Sequence, residues 1–249
     1  MARANFLVHW TGGDIAADYS ALCSSDRSRY VDRLADILIS GFWMARPQEP
    51  LAGRNRRGGG GQVSFTYEAD MTCFSEIRLS QCSQHACMYG LLGVGVDRAY
   101  VLERWGSPVH YVRNHRDDGV VGSFAAARNL IAACARRGNG DAAAALAHVN
   151  YLGTFMKGMS QANTDDFLFL EEQEWRVVVT QEQIDVGRIN ETGLGLPRYR
   201  LILPPAELRL VVFPDACTRQ LALQDPRVQK SLGSGGSLPL LTLEECRQF

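Results

Sequence analysis

Residues 165–180 read Asp165-Asp166-Phe167-Leu168-Phe169-Leu170-Glu171-Glu172-Gln173-Glu174-Trp175-Arg176-Val177-Val178-Val179-Thr180. The run from Trp175 to Thr180 is aromatic and β-branched behind a charged segment, a composition that predicts a strand. Upstream, Phe124 to Arg136 and Asp141 to Met156 are alanine-rich, and alanine's helix propensity predicts two helices parted by Gly138-Asn139-Gly140. Strands therefore return after helices instead of alternating with them. That order predicts an α+β fold with mixed or antiparallel sheets and a helical insertion over 124–157, not a doubly wound parallel sheet.

Working outward, Asn5 to Trp10 (NFLVHW) is β-like and closes on the turn Thr11-Gly12-Gly13-Asp14. Tyr30, Val31, Leu34, Ile37 and Leu38 recur at helical spacing, and Gly41 stands where such a helix would end. Residues 46–62 hold two prolines, four arginines and a run of glycines, the composition of a long mobile loop. Strands are expected at 63–67, 71–74, 91–96, 108–112, 199–203 and 208–213. Helices are expected at 84–89 and 216–223. No compositional break divides the chain, which reads as one α+β domain over 1–249.

The 249 residues carry 26 basic and 27 acidic side chains. A net charge of −1 excludes a uniformly basic nucleic-acid binder. It arises by cancellation. Residues 46–62 carry four arginines against Glu49, residues 113–140 carry five against two aspartates, and residues 165–174 hold five carboxylates with no base. Lys157 and Lys230 are the only lysines, so P-loop and kinase chemistry is excluded. Leu92-Gly93-Val94-Gly95-Val96 lacks the third glycine of a dinucleotide fingerprint. An odd count of seven cysteines and no signal-like N-terminus argue for reduced, mostly buried thiols in a cytoplasmic protein. Cys82, His85 and Cys87 lack a fourth zinc ligand at regular spacing, and no membrane span or metal site is expected.

Three places carry chemistry. His9, beside Trp10 and Thr11, ends the first strand, where a ligand could meet side chains and backbone amides together. Ser75 ends the strand Met71-Thr72-Cys73-Phe74-Ser75. Glu172 and Glu174 stand two apart before the late strand, so alternation would point both carboxylates to one face, where like charges disfavour joint ionisation. A magnesium nuclease on Asp165, Asp166, Glu172 and Glu174 is the weaker alternative, since no lysine accompanies them in sequence.

Taken in order, the histidine, the hydroxyl and the Glu-x-Glu pair resemble the layout of ADP-ribosyltransferases. That resemblance implies a split-sheet fold with NAD as substrate, and Glu174 as the catalytic carboxylate that stabilises developing positive charge on the ribose. It also implies that His9, Trp10, Thr11 and Ser75 hold the nicotinamide ribose, with Tyr89 stacking on the nicotinamide. The acceptor would be a nucleic acid or a protein.

A second set of blocks is denser. Cys73-Phe74-Ser75-Glu76-Ile77-Arg78-Leu79-Ser80, His85, Tyr89-Gly90, Gly93-Val94-Gly95-Val96, Pro108-Val109-His110-Tyr111-Val112 and Glu172-Gln173-Glu174-Trp175-Arg176 resemble, in this order, the AbiGi family of abortive phage-infection proteins. Arg78, Ser107 and Gln173 depart from the family's usual proline, asparagine and arginine. The resemblance implies an antitoxin of a bacterial defence system with a toxin partner. Two readings of function stay open: an NAD-dependent transferase in phage defence, and a non-catalytic antitoxin that binds a protein partner.

Overall fold

The structure, a computed structural model, describes residues 5–16, 18–54, 61–113, 119–159, 172–193, 195–232 and 238–248. In chain order the elements begin β1 (Phe6–Thr11), α1 (Ser24–Ser40), β2 (Phe42–Met44), β3 (Gln48–Arg54), β4 (Gln62–Glu68), β5 (Met71–Ser75), α2 (Cys82–Tyr89), β6 (Leu92–Asp97) and α3 (Arg98–Glu103). Next come β7 (Ser107–Pro108), β8 (His110–Val112), α4 (Gly119–Arg136), α5 (Gly140–Gly153), β9 (Met156–Gly158), β10 (Glu174–Val178) and α6 (Gln181–Asp185). The last are β11 (Ile189–Glu191), β12 (Tyr199–Leu201), β13 (Leu208–Phe213), α7 (Ala216–Gln224), α8 (Pro226–Leu232), β14 (Leu240–Thr242) and α9 (Leu243–Cys246). The fold is α+β, with antiparallel and parallel pairings both present. Among the described residues no helix is long and apolar enough to cross a membrane.

The chain forms two compact units, residues 1–45, 72–106 and 179–249 in the first, 46–71 and 107–178 in the second. In the first, strands run in the order β14-β13-β6-β1-β5. β1 pairs antiparallel with β6 from Phe6↔Asp97 to Thr11↔Leu92 and with β5 at Val8↔Ser75, while β13 and β14 are parallel. The glycines of β6 serve packing. A Cβ on Gly93 would lie 2.8 Å from the Trp10 ring, and one on Gly95 would lie 2.8 Å from Leu210, so each makes room for a large side chain on the neighbouring strand. α1 buries Tyr30, Val31, Leu34, Ala35, Ile37 and Leu38, as its apolar spacing predicts, and Gly41 leaves it with φ 91°.

In the second unit β3 and β4 pair from Gln48↔Glu68 to Arg54↔Gln62. Residues 48–54 are therefore a strand, not the loop their composition suggested; residues 55–60 lie outside the described ones. Leu51 and Phe65 are buried in this hairpin, and α4 packs on it so closely that a Cβ on Gly122 would meet the Arg54 carbonyl oxygen at 2.1 Å. Burial of these faces outweighs the local glycine and arginine content. α5 ends at Gly153, earlier than alanine content alone suggested, because Met156–Gly158 pairs parallel with β8. The stretch Pro108 to Val112 splits at Val109, whose N–H donates to the Glu174 carbonyl at 2.9 Å. β7 then pairs with β10, and β8 with β9.

The thiols correct one expectation. Only Cys82 and Cys246 are buried; Cys23, Cys87 and Cys217 are exposed, and Cys73 and Cys134 lie between. Cys23 caps α1, and Cys87 and Cys217 lie on exposed positions of α2 and α7, where no core claims them.

Candidate functional site

His9, Trp10, Thr11, Ser75 and Tyr89 belong to the first unit, and Glu174 belongs to the second. The five do not gather on one face of the sheet: Ser75, opposite Val8, lies on the Trp10 side, away from His9 and Thr11. His9 and Thr11 share a face of β1, opposite to Trp10. The His9 Nδ1 hydrogen-bonds the Cys73 carbonyl at 2.8 Å, and its ring packs edge-on against Phe42 and Phe74. Ser75, buried, stands beside Val8. Arg33 donates to Thr11 Oγ1 at 2.9 Å and to Asp14 at 2.9 Å. Tyr89 ends α2, and Gly90 after it, with φ 124°, lies so near the β1 turn that a Cβ there would meet the Thr11 carbonyl oxygen at 2.2 Å. The Trp10 indole N–H is buried without a partner among the described residues.

Burial pushes the His9 imidazole down to about 4 from its ordinary 6.5, against the raising effect of the Cys73 carbonyl and with a smaller contribution from Arg33. The ring is neutral at physiological pH. Between pH 6.5 and about 4 the unfolded chain binds a proton that the folded ring refuses. The stabilisation is fully present above pH 6.5 and is lost as pH falls through that window. Urea unfolding at pH 5 is expected to show about 2 kcal/mol less stability from this group than at pH 7. His9→Gln removes that component of the slope; an unchanged slope in the variant counts against a neutral, half-buried His9.

The second unit holds a buried charge cluster centred on Glu174. Glu174 begins β10 and is 4% exposed, and its carboxylate is taken on both sides. Arg176 Nε donates to Oε1 at 2.6 Å, and Lys157 Nζ donates to Oε2. The same ammonium donates to Glu172 Oε2 at 2.8 Å. Arg176, 0% exposed, also donates to the Tyr67 hydroxyl, to the Thr154 carbonyl and, at 3.1 Å, to Glu49. Tyr67 in turn donates to Glu49. The Glu174 backbone N–H donates to the Tyr111 hydroxyl at 2.9 Å.

The electrostatics follow from this geometry. Burial alone would raise the Glu174 pKa, but Arg176 and then Lys157 outweigh it and hold the carboxyl down at about 2. Burial opposes the Lys157 charge, and Glu174 and Glu172 override it, so the amine is pushed up. Burial pushes Tyr67 up and Tyr111 to about 12. Two cations thus face Glu172, Glu174 and the half-buried Glu49.

Glu172 and Glu174 do converge on one partner, but not through strand alternation. Gln173 between them has φ 44°, and β10 begins only at Glu174. The chain turns there, and the ammonium draws both carboxylates together. Lys157, Glu49 and Tyr67 escaped the sequence reading, although Lys157 carried a signal as one of two lysines beside 24 arginines, and Arg176 entered it only as the end of the Glu172-to-Arg176 block. Asp165, Asp166 and Glu171 lie outside the described residues. Among the described residues no group of three or more His, Cys, Asp or Glu side chains could hold a metal ion.

A family model described as "Putative abortive phage resistance protein AbiGi, antitoxin" matches residues 61–197, more than half of the chain and including all of β10. No curated protein and no solved structure matches.

Proposed function

We infer the role of this protein from one premise: the chain belongs to the AbiGi family of abortive phage-resistance antitoxins. On that premise it is the antitoxin component of an anti-phage defence pair, acting by binding its protein toxin and not by turning over NAD. The observation that carries the non-catalytic part is the saturation of Glu174. A carboxylate that stabilises a ribosyl cation must present a free oxygen to the sugar. Both Glu174 oxygens are instead held by Arg176 and Lys157 inside a cluster that is almost wholly buried.

A binding role also needs a surface. Within the second unit α5 packs on α4 and leaves Ala143, Ala144, Ala145, Ala147 and Leu152 exposed. Asp141 is the only Asp, Glu, Lys or Arg along the helix. Solvated helix faces normally carry charge, so an uncharged outer face of this kind supports a protein partner.

The test is co-expression with the product of the neighbouring gene. A complex that co-purifies and restores growth is expected. Ala145→Glu buries an unpaired charge in that contact and is expected to weaken it by about tenfold or more, with the melting temperature of the free protein unchanged. Growth restored without a complex, or a complex indifferent to Ala145→Glu, overturns the assignment of this surface.

A further inference from the structure

We propose that Arg104, together with Arg188, anchors a phosphate-binding site at the C-terminal end of α3. The proposal is independent of the proposed function, and its residues all belong to the first unit. Arg104 follows the last residue of α3 and is 8% exposed. Its guanidinium lies over the Tyr100 ring, 3.8 Å from the centroid, and Nη1 donates to the Tyr100 carbonyl at 3.1 Å. The Nε–H is buried without a partner, and Nη2 also has none among the described residues. Its ion-pair partner, Glu103, stands 4.0 Å from Nη1 and is 67% exposed, too far to hydrogen-bond and largely solvated. Buried donors are normally filled. Arg176, the other buried arginine among the described residues, meets both Glu174 and Glu49. In Arg104 the unfilled donors, Nε and Nη2, form the edge of the fork that takes two oxygens of one oxyanion.

Arg188 supplies the second charge. It donates to the Glu103 carbonyl and has no ion pair among the described residues. The Tyr100 and Glu103 carbonyls are three residues apart on one helix, so both guanidiniums reach the same last turn. The helix end contributes only about half a negative charge there, less than the two cations bring. The Arg104 fork alone would fill a carboxylate. A phosphate has a third oxygen and nearly two charges, which suits a fork with a second cation beside it. The next residue adds an independent observation. Trp105 takes φ 55° and is 38% exposed. Its N–H donates to the Leu102 carbonyl at 2.9 Å, and that of Gly106 to the Val101 carbonyl at 2.8 Å. This is the left-handed helix stop in which glycine is usual, and strain of this kind is retained where a side chain has a use. The Trp105 ring is an exposed aromatic surface one residue from the guanidinium, suited to the organic part of a phosphate ester.

The experiment measures thermal unfolding of the full-length protein with 10 mM inorganic phosphate, AMP or acetate, against sodium chloride at matched ionic strength. Phosphate is expected to raise the melting temperature by ~3 °C or more. Arg104→Met should lose that rise; because the rise is a difference within each protein, a change in the variant's own stability does not enter it. Arg188→Gln should weaken phosphate binding about tenfold, read from the concentration that gives half the rise. A larger rise with AMP identifies an ester as the source, and equal rises identify free phosphate. No rise with either, a rise that persists in Arg104→Met, or an equal rise with acetate overturns the proposal. An unchanged phosphate affinity in Arg188→Gln overturns the two-cation site.

Discussion

Arg176→Met is expected to destabilise the protein by about 3–5 kcal/mol, the cost of breaking a buried ion pair by removing one partner. The substitution keeps much of the side-chain volume, so a cavity contributes little. What it removes is the guanidinium that reaches Glu174, Tyr67, the Thr154 carbonyl and Glu49 at once. Glu174, 4% exposed, would keep its negative charge beside Lys157 alone. The double variant Arg176→Met/Glu174→Gln removes both charges, and its loss should fall short of the sum of the single losses by about 2 kcal/mol. Urea unfolding of the four proteins measures this. An Arg176→Met loss under about 1 kcal/mol, or strict additivity, contradicts a cluster in which this guanidinium is the hub.

Lys157→Met is expected to cost about 3–4 kcal/mol at pH 7 by the same reasoning. The ammonium is the group that Glu172 and Glu174 share, and the two carboxylates are 2% and 4% exposed. Without it, like charges face each other in a poorly solvated place, so protonation of the folded form is favoured. The depression of the Glu174 pKa is then smaller, because Arg176 remains to hold it down without Lys157. In the wild type Glu174 has a depressed pKa and contributes stability above 4.5 that is lost as pH falls towards about 2. In Lys157→Met the carboxylates take up protons at a higher pH than in the wild type. The deficit of the variant relative to wild type should therefore shrink between pH 7 and pH 5. A deficit that is constant or grows on acidification argues that the amine does not neutralise the pair.

Local patterns made part of this architecture legible. The spacing of Tyr30, Leu34 and Leu38 marked α1, alanine content marked α4 and α5, and Trp175-Arg176-Val177-Val178 marked β10. The β3 strand was hidden because Pro50, Gly53 and Arg54 argue for a loop; only pairing with β4 and cover from α4 make it a strand. The carboxylates Glu172 and Glu174 were visible as a pair, but their partners were not. Glu49, Tyr67 and Lys157 come from β3, β4 and β9, and short-range periodicity carries no information about contacts across such sequence distances. The Gly93-x-Gly95 pair shows the converse. A motif with a ligand-binding look is explained by the Trp10 and Leu210 side chains it accommodates.

We propose that Glu174 is a structural carboxylate and that the protein acts by binding. The most direct test is nicotinamide release from labelled NAD by the purified protein, alone and in extract from phage-infected cells, with Glu174→Gln in parallel. No release above the Glu174→Gln background is predicted under either condition. Release by the wild type that is lost in Glu174→Gln, with both proteins folded, would make Glu174 a catalytic carboxylate.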